Sequence, residues 1–256
     1  MLRTIKQVIV ISVFVLGALF VAGFIFWLLN RPSCSDGKKN GDEQGIDCGG
    51  SCPRQCAPMV NLNELKVEEE TMIKDGERYD VAAKVINTNK TYGFYPLEYR
   101  VNLYRASKLV ASRQGSSYVM PGDMFYLIEA GIEYQGTPDS MEIVVEKAEP
   151  VSFKGDNRPK FDILNQNYAY TREPGSFFET NFQIANRSKY DFLKVDLETV
   201  VKNASGEIIA VNRGNINELK SGEVRDFRFF WPGEFFGVAK KVETRARSNF
   251  FDLSNL

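Results

Sequence analysis

The residues best suited to chemistry are four cysteines, which all fall in one short segment, CSDGKKNGDEQGIDCGGSCPRQC. Cys34, Cys48, Cys52 and Cys56 are spaced as C-x13-C-x3-C-x3-C. Four-cysteine zinc sites usually show paired C-x2-C knuckles, which these spacings do not reproduce. An even number of cysteines in so short a segment predicts two disulfides. Four cysteines allow three pairings, and all three stay open.

The same segment carries oxygen ligands of the kind that calcium prefers. Asp36, Asn40, Gly41 and Asp47 fall at positions 1, 5, 6 and 12 of an EF-hand-like loop, and Asp42 lies among them. Position 3 is Lys38, however, and no helical pattern flanks the loop. The segment therefore favours a cross-linked cluster of turns, with calcium at Asp36, Asn40, Asp42 and Asp47 as the alternative and no other cofactor.

Composition restricts the remaining chemistry. The chain has no histidine, which excludes Ser-His-Asp and Cys-His catalysis and histidine-ligated metals. Its 32 basic and 33 acidic residues give no field that would attract nucleic acid. Glu68, Glu69 and Glu70 are consecutive, which suits a solvated strand edge better than the paired carboxylates of a glycosidase. We therefore expect no enzymatic activity.

Two aromatic stretches are candidates for binding a partner. FRFFWPGEFFG, residues 227–237, places Phe227, Phe229 and Trp231 on the inner face of a strand and leaves Phe230, Phe235 and Phe236 for core packing or a partner surface. KTYGFYPLEY, residues 90–99, places Tyr92, Phe94 and Tyr95 in a loop suited either to recognition or to a structural corner. Both alternatives stay open for each stretch.

An uncharged apolar run of 22 residues, 8–29, precedes the cysteines. As a helix it would measure about 33 Å, enough to cross a hydrocarbon core of roughly 30 Å. It lacks the short apolar core and cleavage site of a signal peptide, so the sequence predicts an uncleaved single-pass anchor in contact with the lipid bilayer. Residues 1–30 would form a cytoplasmic tail and transmembrane helix.

The orientation of this predicted anchor depends on the cysteines, because basic residues flank both of its ends. Disulfides persist outside the reducing cytosol, so the chain after the anchor is expected in a periplasmic or extracellular space. The N-terminus would then be cytoplasmic, and residues 31–56 would form a disulfide-rich stalk.

Beyond Cys56 the apolar residues alternate with a period of two, which is typical of short β-strands. The alternation is clear in these segments: 79–85, 97–105, 124–130, 141–145, 178–184, 195–201 and 224–231. Turn sequences such as NTNK, MPGD, KSGE and WPGE separate them. The pattern predicts a mainly β protein.

The β region also repeats itself at an interval near 100 residues. YDVAAKVIN begins at Tyr79 and FETNFQIAN at Phe178, an offset of 99, while Gly122-Asp123 and Gly222-Glu223 are offset by 100. One such interval matches one immunoglobulin-like sandwich. We therefore predict two tandem sandwich domains, 57–150 and 161–256, joined by a linker over 151–160.

The cysteine-rich segment resembles a motif of bacterial surface-exposed, membrane-anchored proteins, C-x-D-G-x-x-N-G-x-E-x-G-x-D-C-G-G-x-C-x-x-C. The resemblance covers Cys34 to Cys52, and Cys56 falls one residue late. It implies a location beside the anchor and no particular activity.

The first predicted sandwich resembles, more distantly, the FxLYD family of extracytoplasmic β-sandwiches. VNLYR, residues 101–105, stands where F-x-L-Y-D would be, with Val101 and Arg105 replacing Phe and Asp. The resemblance implies an adhesive or spacer module without catalytic residues.

Together these features predict a structural or interaction protein of the cell envelope with a protein partner. The alternative is a module that binds a glycan or a peptide through its aromatic loops.

Overall fold

The computed structural model describes residues 16–17, 19–27, 31–44, 46–54, 62–153, 155, 158–171 and 174–255. The chain divides into two compact units, residues 1–61 and residues 62–256. The first unit holds a short helical stretch and the cysteine-rich turns, and the second holds all the described strands.

The transmembrane helix predicted over residues 8–29 is wrong for the part of the chain that the structure describes, where no helix combines the length and apolar character needed to cross a bilayer. Residues 16–17 and 19–27 are helical. Residues 8–15, 18 and 28–29 of the predicted anchor lie outside the described residues.

The described residues of the second unit form a β structure of twelve strands. In chain order these are β1 Lys66–Asp75, β2 Arg78–Ile86, β3 Tyr92–Arg105, β4 Lys108–Val119, β5 Met124–Glu133, β6 Ser140–Ser152, β7 Phe161–Tyr170, β8 Phe178–Asn186, β9 Phe192–Lys202, β10 Ile208–Leu219, β11 Val224–Trp231 and β12 Lys241–Arg247. A short 3₁₀ helix, Leu253–Asn255, follows β12. Every clear alternating segment of the sequence lies within one of these strands.

The strands form four antiparallel three-stranded sheets, and β1–β6 and β7–β12 repeat one topology. The first half, β1–β6, has sheets β1-β2-β5 and β4-β3-β6, and the second half, β7–β12, has sheets β11-β8-β7 and β10-β9-β12. Each half therefore has six strands, whereas an immunoglobulin-like sandwich has seven or more. The immunoglobulin-like fold class is corrected to a pair of six-stranded β-sandwiches. β6 also extends two residues, Val151 and Ser152, into the segment predicted as the linker.

Each half has its own apolar core between its two sheets. In the first half Val81, Val101 and Leu127 come from different strands and are at most 3% exposed. In the second half Phe178, Leu197 and Trp231 occupy the corresponding core. Alternation along each strand sends these side chains inward, which is why a period of two in the sequence produces two layers.

The repeated sequence segments meet in space at one corner of each half. The Asn87 amide nitrogen donates to the carbonyls of Tyr92 and Met120, at 2.8 and 3.0 Å. The Asn186 amide nitrogen donates to the carbonyls of Tyr190 and Leu219, at 2.8 and 3.1 Å. Each buried asparagine thus ties the end of one strand to the next loop and to the start of the turn that holds Gly122 or Gly222.

Candidate interaction surfaces

The cysteine-rich turns are cross-linked by a disulfide between Cys34 and Cys52, and Cys48 is also disulfide-bonded. The three cysteines within the described residues are therefore oxidised, which confirms disulfide chemistry for them. Cys56 lies outside the described residues. The predicted stalk is consequently a covalently closed set of turns.

Three of the four residues proposed as calcium ligands, Asp36, Asn40 and Asp47, take part in hydrogen bonds among the turns. The Asp36 carboxylate accepts from the Lys38 backbone at 2.9 Å and from the Asn40 amide at 2.7 Å. The Asp47 carboxylate accepts from the Gly37 backbone at 3.0 Å. The Asn40 hydrogen bond contributes most to holding the pKa of Asp36 below its usual value.

Among the residues that the structure describes, one group of metal-binding types lies close together, Cys34, Glu43 and Cys52. The two sulfurs are bonded to each other, so they are not free thiolates, and Glu43 accepts backbone hydrogen bonds from Asn40 and Asp47. This arrangement suits a structural cross-link. Calcium at Asp36, Asn40, Asp42 and Asp47 stays a prediction.

The aromatic stretch at the end of β11 divides between core and surface. Phe229 and Trp231 point inward and are 6% and 8% exposed, while Phe230 points outward. Phe235 packs on Phe177 and Phe178, with ring centroids at 5.4 and 5.2 Å. Phe236 is 97% exposed at the tip of the following loop. Of the three predicted partner residues, Phe236 and Phe230 are therefore on the surface, and Phe235 stabilises the core.

The loop predicted for Tyr92, Phe94 and Tyr95 is wrong, because all three residues belong to the first part of strand β3. This part of the strand faces the interior of the molecule. Phe94 is buried in the first core, and the Tyr95 ring stacks on Phe251 of the C-terminal segment at 6.4 Å. Phe251 also lies over Gly93, where an added Cβ would come within 2.3 Å of the ring. Tyr92 is half-buried, and its carbonyl binds Asn87. These three aromatics thus form a structural corner between the two halves.

The largest feature that the sequence did not predict is a sheet-on-sheet interface between the halves. The outer face of sheet β1-β2-β5 packs against the outer face of β10-β9-β12. Its apolar centre consists of buried residues from both halves: Ala82, Tyr126, Ile128, Val200, Ile208 and Val211. One feature of the sequence could have indicated this interface: β5 and β9 carry apolar residues on both faces, which is typical of strands covered on both sides.

A nearly buried ion pair lies beside this apolar centre. The Arg247 Nε lies 2.6 Å from the Glu198 carboxylate, and the two side chains are 10% and 7% exposed. Arg247 also donates to Ser117 Oγ and the Tyr118 carbonyl of the first half, and Glu198 accepts from the Tyr126 backbone. Burial raises the pKa of Glu198 despite the opposing effect of Arg247. Burial alone would lower the pKa of Arg247, but the Glu198 charge reverses this effect and raises it.

A second ionic cluster closes the other side of the interface. Lys202 Nζ binds Glu69 at 2.7 Å and approaches Glu243 at 3.5 Å. The Tyr126 hydroxyl donates to Glu243 at 2.7 Å. The hydrogen bond from Lys202 is the main cause that lowers the pKa of Glu69. Glu69, expected on a solvated strand edge, is therefore part of the contact between the halves.

A cleft of about 710 Å³ opens at this interface, next to Arg247. Its walls come from β3, β4 and β5 of the first half, from β9, β10 and the end of β12 of the second, and from the C-terminal segment. In its walls the Tyr118 hydroxyl donates to Asp196 at 3.0 Å and the Tyr99 hydroxyl donates to buried Glu129 at 2.7 Å. The cleft is therefore both polar and aromatic.

Comparison of the chain with protein-family models and with curated proteins finds no match.

Proposed function

We propose that the protein is a non-catalytic interaction protein of the cell envelope whose cysteine-rich and β regions lie in an oxidising compartment. The observation that carries the interaction role is the exposed aromatic loop after β11. Phe236 is 97% exposed, and Phe230 and Val238 beside it in sequence are 53% and 62% exposed. Exposed aromatic side chains of this kind are typical anchors of protein–protein interfaces.

The rigid support beneath this loop favours recognition of a partner. Phe235 fixes the loop by packing on Phe177 and Phe178, and the Ala239 backbone donates to the Tyr170 hydroxyl at 2.7 Å. Phe236 is thus presented by a loop that is anchored on both sides. A preorganised anchor loses less conformational entropy when it binds.

The oxidising compartment is supported by the Cys34–Cys52 bond, since protein disulfides are rare in reducing cytosol. A non-catalytic role is supported by the lack of histidine and by the engagement of buried carboxylates. Glu198 pairs with Arg247, and Glu129 accepts from Tyr99 and lies 3.4 Å from Arg213. Carboxylates held in this way stabilise a structure and are poorly placed to exchange protons with a substrate.

Cross-linking in the native cell envelope tests the interaction role. A photoreactive residue at position 236 is expected to capture a defined stoichiometric partner, and Phe236→Ser in the full chain is expected to reduce recovery of that partner at least tenfold. Leu109→Ser is the matched control, because Leu109 is 51% exposed on β4 of the first half. Equal recovery with both variants would contradict the proposed surface.

The compartment is tested by thiol alkylation on intact cells. A membrane-impermeant reagent should label the cysteines only after reduction. Free thiols that react solely after cell lysis would place the cysteine-rich turns in the cytosol and refute the envelope role.

A further inference from the structure

We propose that the cleft between the two halves binds a short, neutral oligosaccharide. The site is distinct from the exposed loop at Phe236, so this proposal stands or fails independently of the protein–protein role. Four observations carry it: the position and volume of the cleft, its balanced charge, its hydrogen-bonding groups, and the aromatic rings in its wall.

Position and volume suit a small ligand. The cleft measures about 710 Å³, and small-molecule sites of roughly 300–1,000 Å³ occur preferentially at domain interfaces. Its two walls belong to different halves, which are held together by Arg247 and by the Lys202–Glu69 contact. A ligand would therefore enter a preformed space.

The charges of the cleft cancel, which favours a neutral ligand. Its lining contains three cations, Lys194, Arg213 and Arg247, and three anions, Asp196, Glu198 and Asp252. Arg247 pairs with Glu198 at 2.6 Å, and Lys194 pairs with Asp196 at 3.0 Å. Arg213 lies 3.4 Å from Glu129, just behind the cleft. Each of the three cations therefore lies beside a carboxylate. A phosphate or sulfate could bind one of them only by breaking its ion pair.

The remaining polar groups can both donate and accept hydrogen bonds. Ser116 on β4 and Asn215 on β10 are exposed in opposite walls, and Asn249 lies in the C-terminal segment. Hydroxyl and amide groups of this kind match the hydroxyls of a sugar, each of which is also donor and acceptor. A peptide would instead require a strand edge or an apolar groove.

Aromatic rings give the cleft an apolar surface of the right shape. Tyr95 lines the cleft and stacks on Phe251 with an interplanar angle of 18°. Tyr99 is fixed above Gly115, where an added Cβ would lie 2.4 Å from the ring. A pyranose ring has an apolar face and polar edges, so it could pack on Tyr95 while its hydroxyls reach Ser116 and Asn215.

Calorimetric titration of the full-length protein tests this site. The probes are cellotetraose, chitotetraose and maltotetraose, with a sulfated disaccharide as the anionic comparison. We expect at least one neutral tetrasaccharide to bind more tightly than the sulfated one. Failure of all three to bind at millimolar concentration, or tighter binding of the sulfated sugar, would overturn the proposal.

A cleft-filling variant locates the binding. Ser116→Trp should weaken the affinity for the bound tetrasaccharide at least tenfold, whereas Ser205→Trp, at an exposed position in the turn between β9 and β10, should leave it within twofold of wild type. Asn215→Trp fills the cleft from the opposite wall and replaces Ser116→Trp if that variant unfolds. Binding that survives filling of the cleft would assign the sugar to another surface and refute this site.

Discussion

At the scale of single residues, Arg247 connects the two halves of the β region. Its guanidinium binds Glu198 in the second half and Ser117 and Tyr118 in the first, and it lies over the Phe125 ring at 3.8 Å. A charge that is this well enclosed requires its partner, because an unpaired buried ion costs several kcal/mol. Each member of the pair therefore depends on the other.

Removal of Arg247 should destabilise the protein strongly. Arg247→Met leaves Glu198 buried without its cation, so the free energy of unfolding should fall by about 3–5 kcal/mol. The double variant Arg247→Met/Glu198→Gln removes the stranded charge and should recover at least about 1 kcal/mol of that loss. Urea unfolding measures both values.

Lys147→Met is the control, because Lys147 pairs with Glu149 in a contact that is about half exposed, and it should cost no more than about 1 kcal/mol. A double variant that is less stable than Arg247→Met would show that the Glu198 charge is not the cause of the loss.

The sequence predicted the chemistry of the cysteines because their spacing is local. It could not predict the Arg247 pair, since Arg247 and Glu198 are far apart along the chain and nothing in the sequence TRAR marks one arginine as buried. The inward orientation of Phe229 could be predicted from local alternation. The exposure of Phe236 could not, because Phe236 lies in the loop after β11, where alternation does not apply. Tyr95 could not, because the segment that covers it contains Phe251, more than 150 residues later.

At the scale of strands, the buried asparagines at the ends of β2 and β8 are the fixed points of the repeat. Asn87 is 1% exposed and Asn186 is fully buried, and the backbone of each is bound by the β4–β5 turn or the β10–β11 turn respectively. The two segments that repeat in the sequence therefore contact each other within each half. The repeat exists in the sequence because the same corner must be built twice.

Replacement of either asparagine should loosen its corner. Asn87→Ala and Asn186→Ala each remove two hydrogen bonds from a buried side chain to backbone carbonyls, which should lower the free energy of unfolding by about 1–3 kcal/mol. Asn217→Ala, at an exposed position on β10, should change it by less than about 0.5 kcal/mol. Thermal unfolding by circular dichroism would show the difference, and equal melting temperatures for Asn87→Ala and Asn217→Ala would contradict this role.

The open edge of sheet β4-β3-β6 is protected by its own sequence. β6 pairs with β3 alone among the described strands and carries Glu142, Glu146, Lys147 and Pro150, with a register shift near Glu146. Charges, proline and irregular register all discourage pairing with another chain. The sequence predicted only the first part of this strand, residues 141–145, because charged residues toward its end break the alternation.

At the scale of the whole β region, each half contributes a different sheet of the repeated fold to the contact between them. Sheet β1-β2-β5 of the first half meets sheet β10-β9-β12 of the second, so the corresponding face of β11-β8-β7 is left outside. There Asn181, Asp226 and Arg228 stand where Ala82, Tyr126 and Ile128 stand in the interface. Because these three residues are polar, the outer face of β11-β8-β7 cannot form the apolar contact that the outer face of β1-β2-β5 forms.

A charge placed in the interface should make the two halves unfold in separate transitions. Ile128 is 4% exposed, and Ile128→Asp places an unpaired carboxylate between Val200 and its neighbours. Differential scanning calorimetry should show one transition for the wild-type β region and two for this variant, which would break the two-state behaviour of a single cooperative unit. Val144→Asp, on 36% exposed Val144 of β6, should keep a single transition.

The polar face of β11-β8-β7 also limits how such a protein can lengthen. A further repeat added after β12 would meet Asp226 and Arg228, whereas a repeat inserted between the halves would need one apolar face for each neighbour. The face that carries Asp226 and Arg228 is therefore compatible with water and does not provide the apolar surface that stacking of a further half would need.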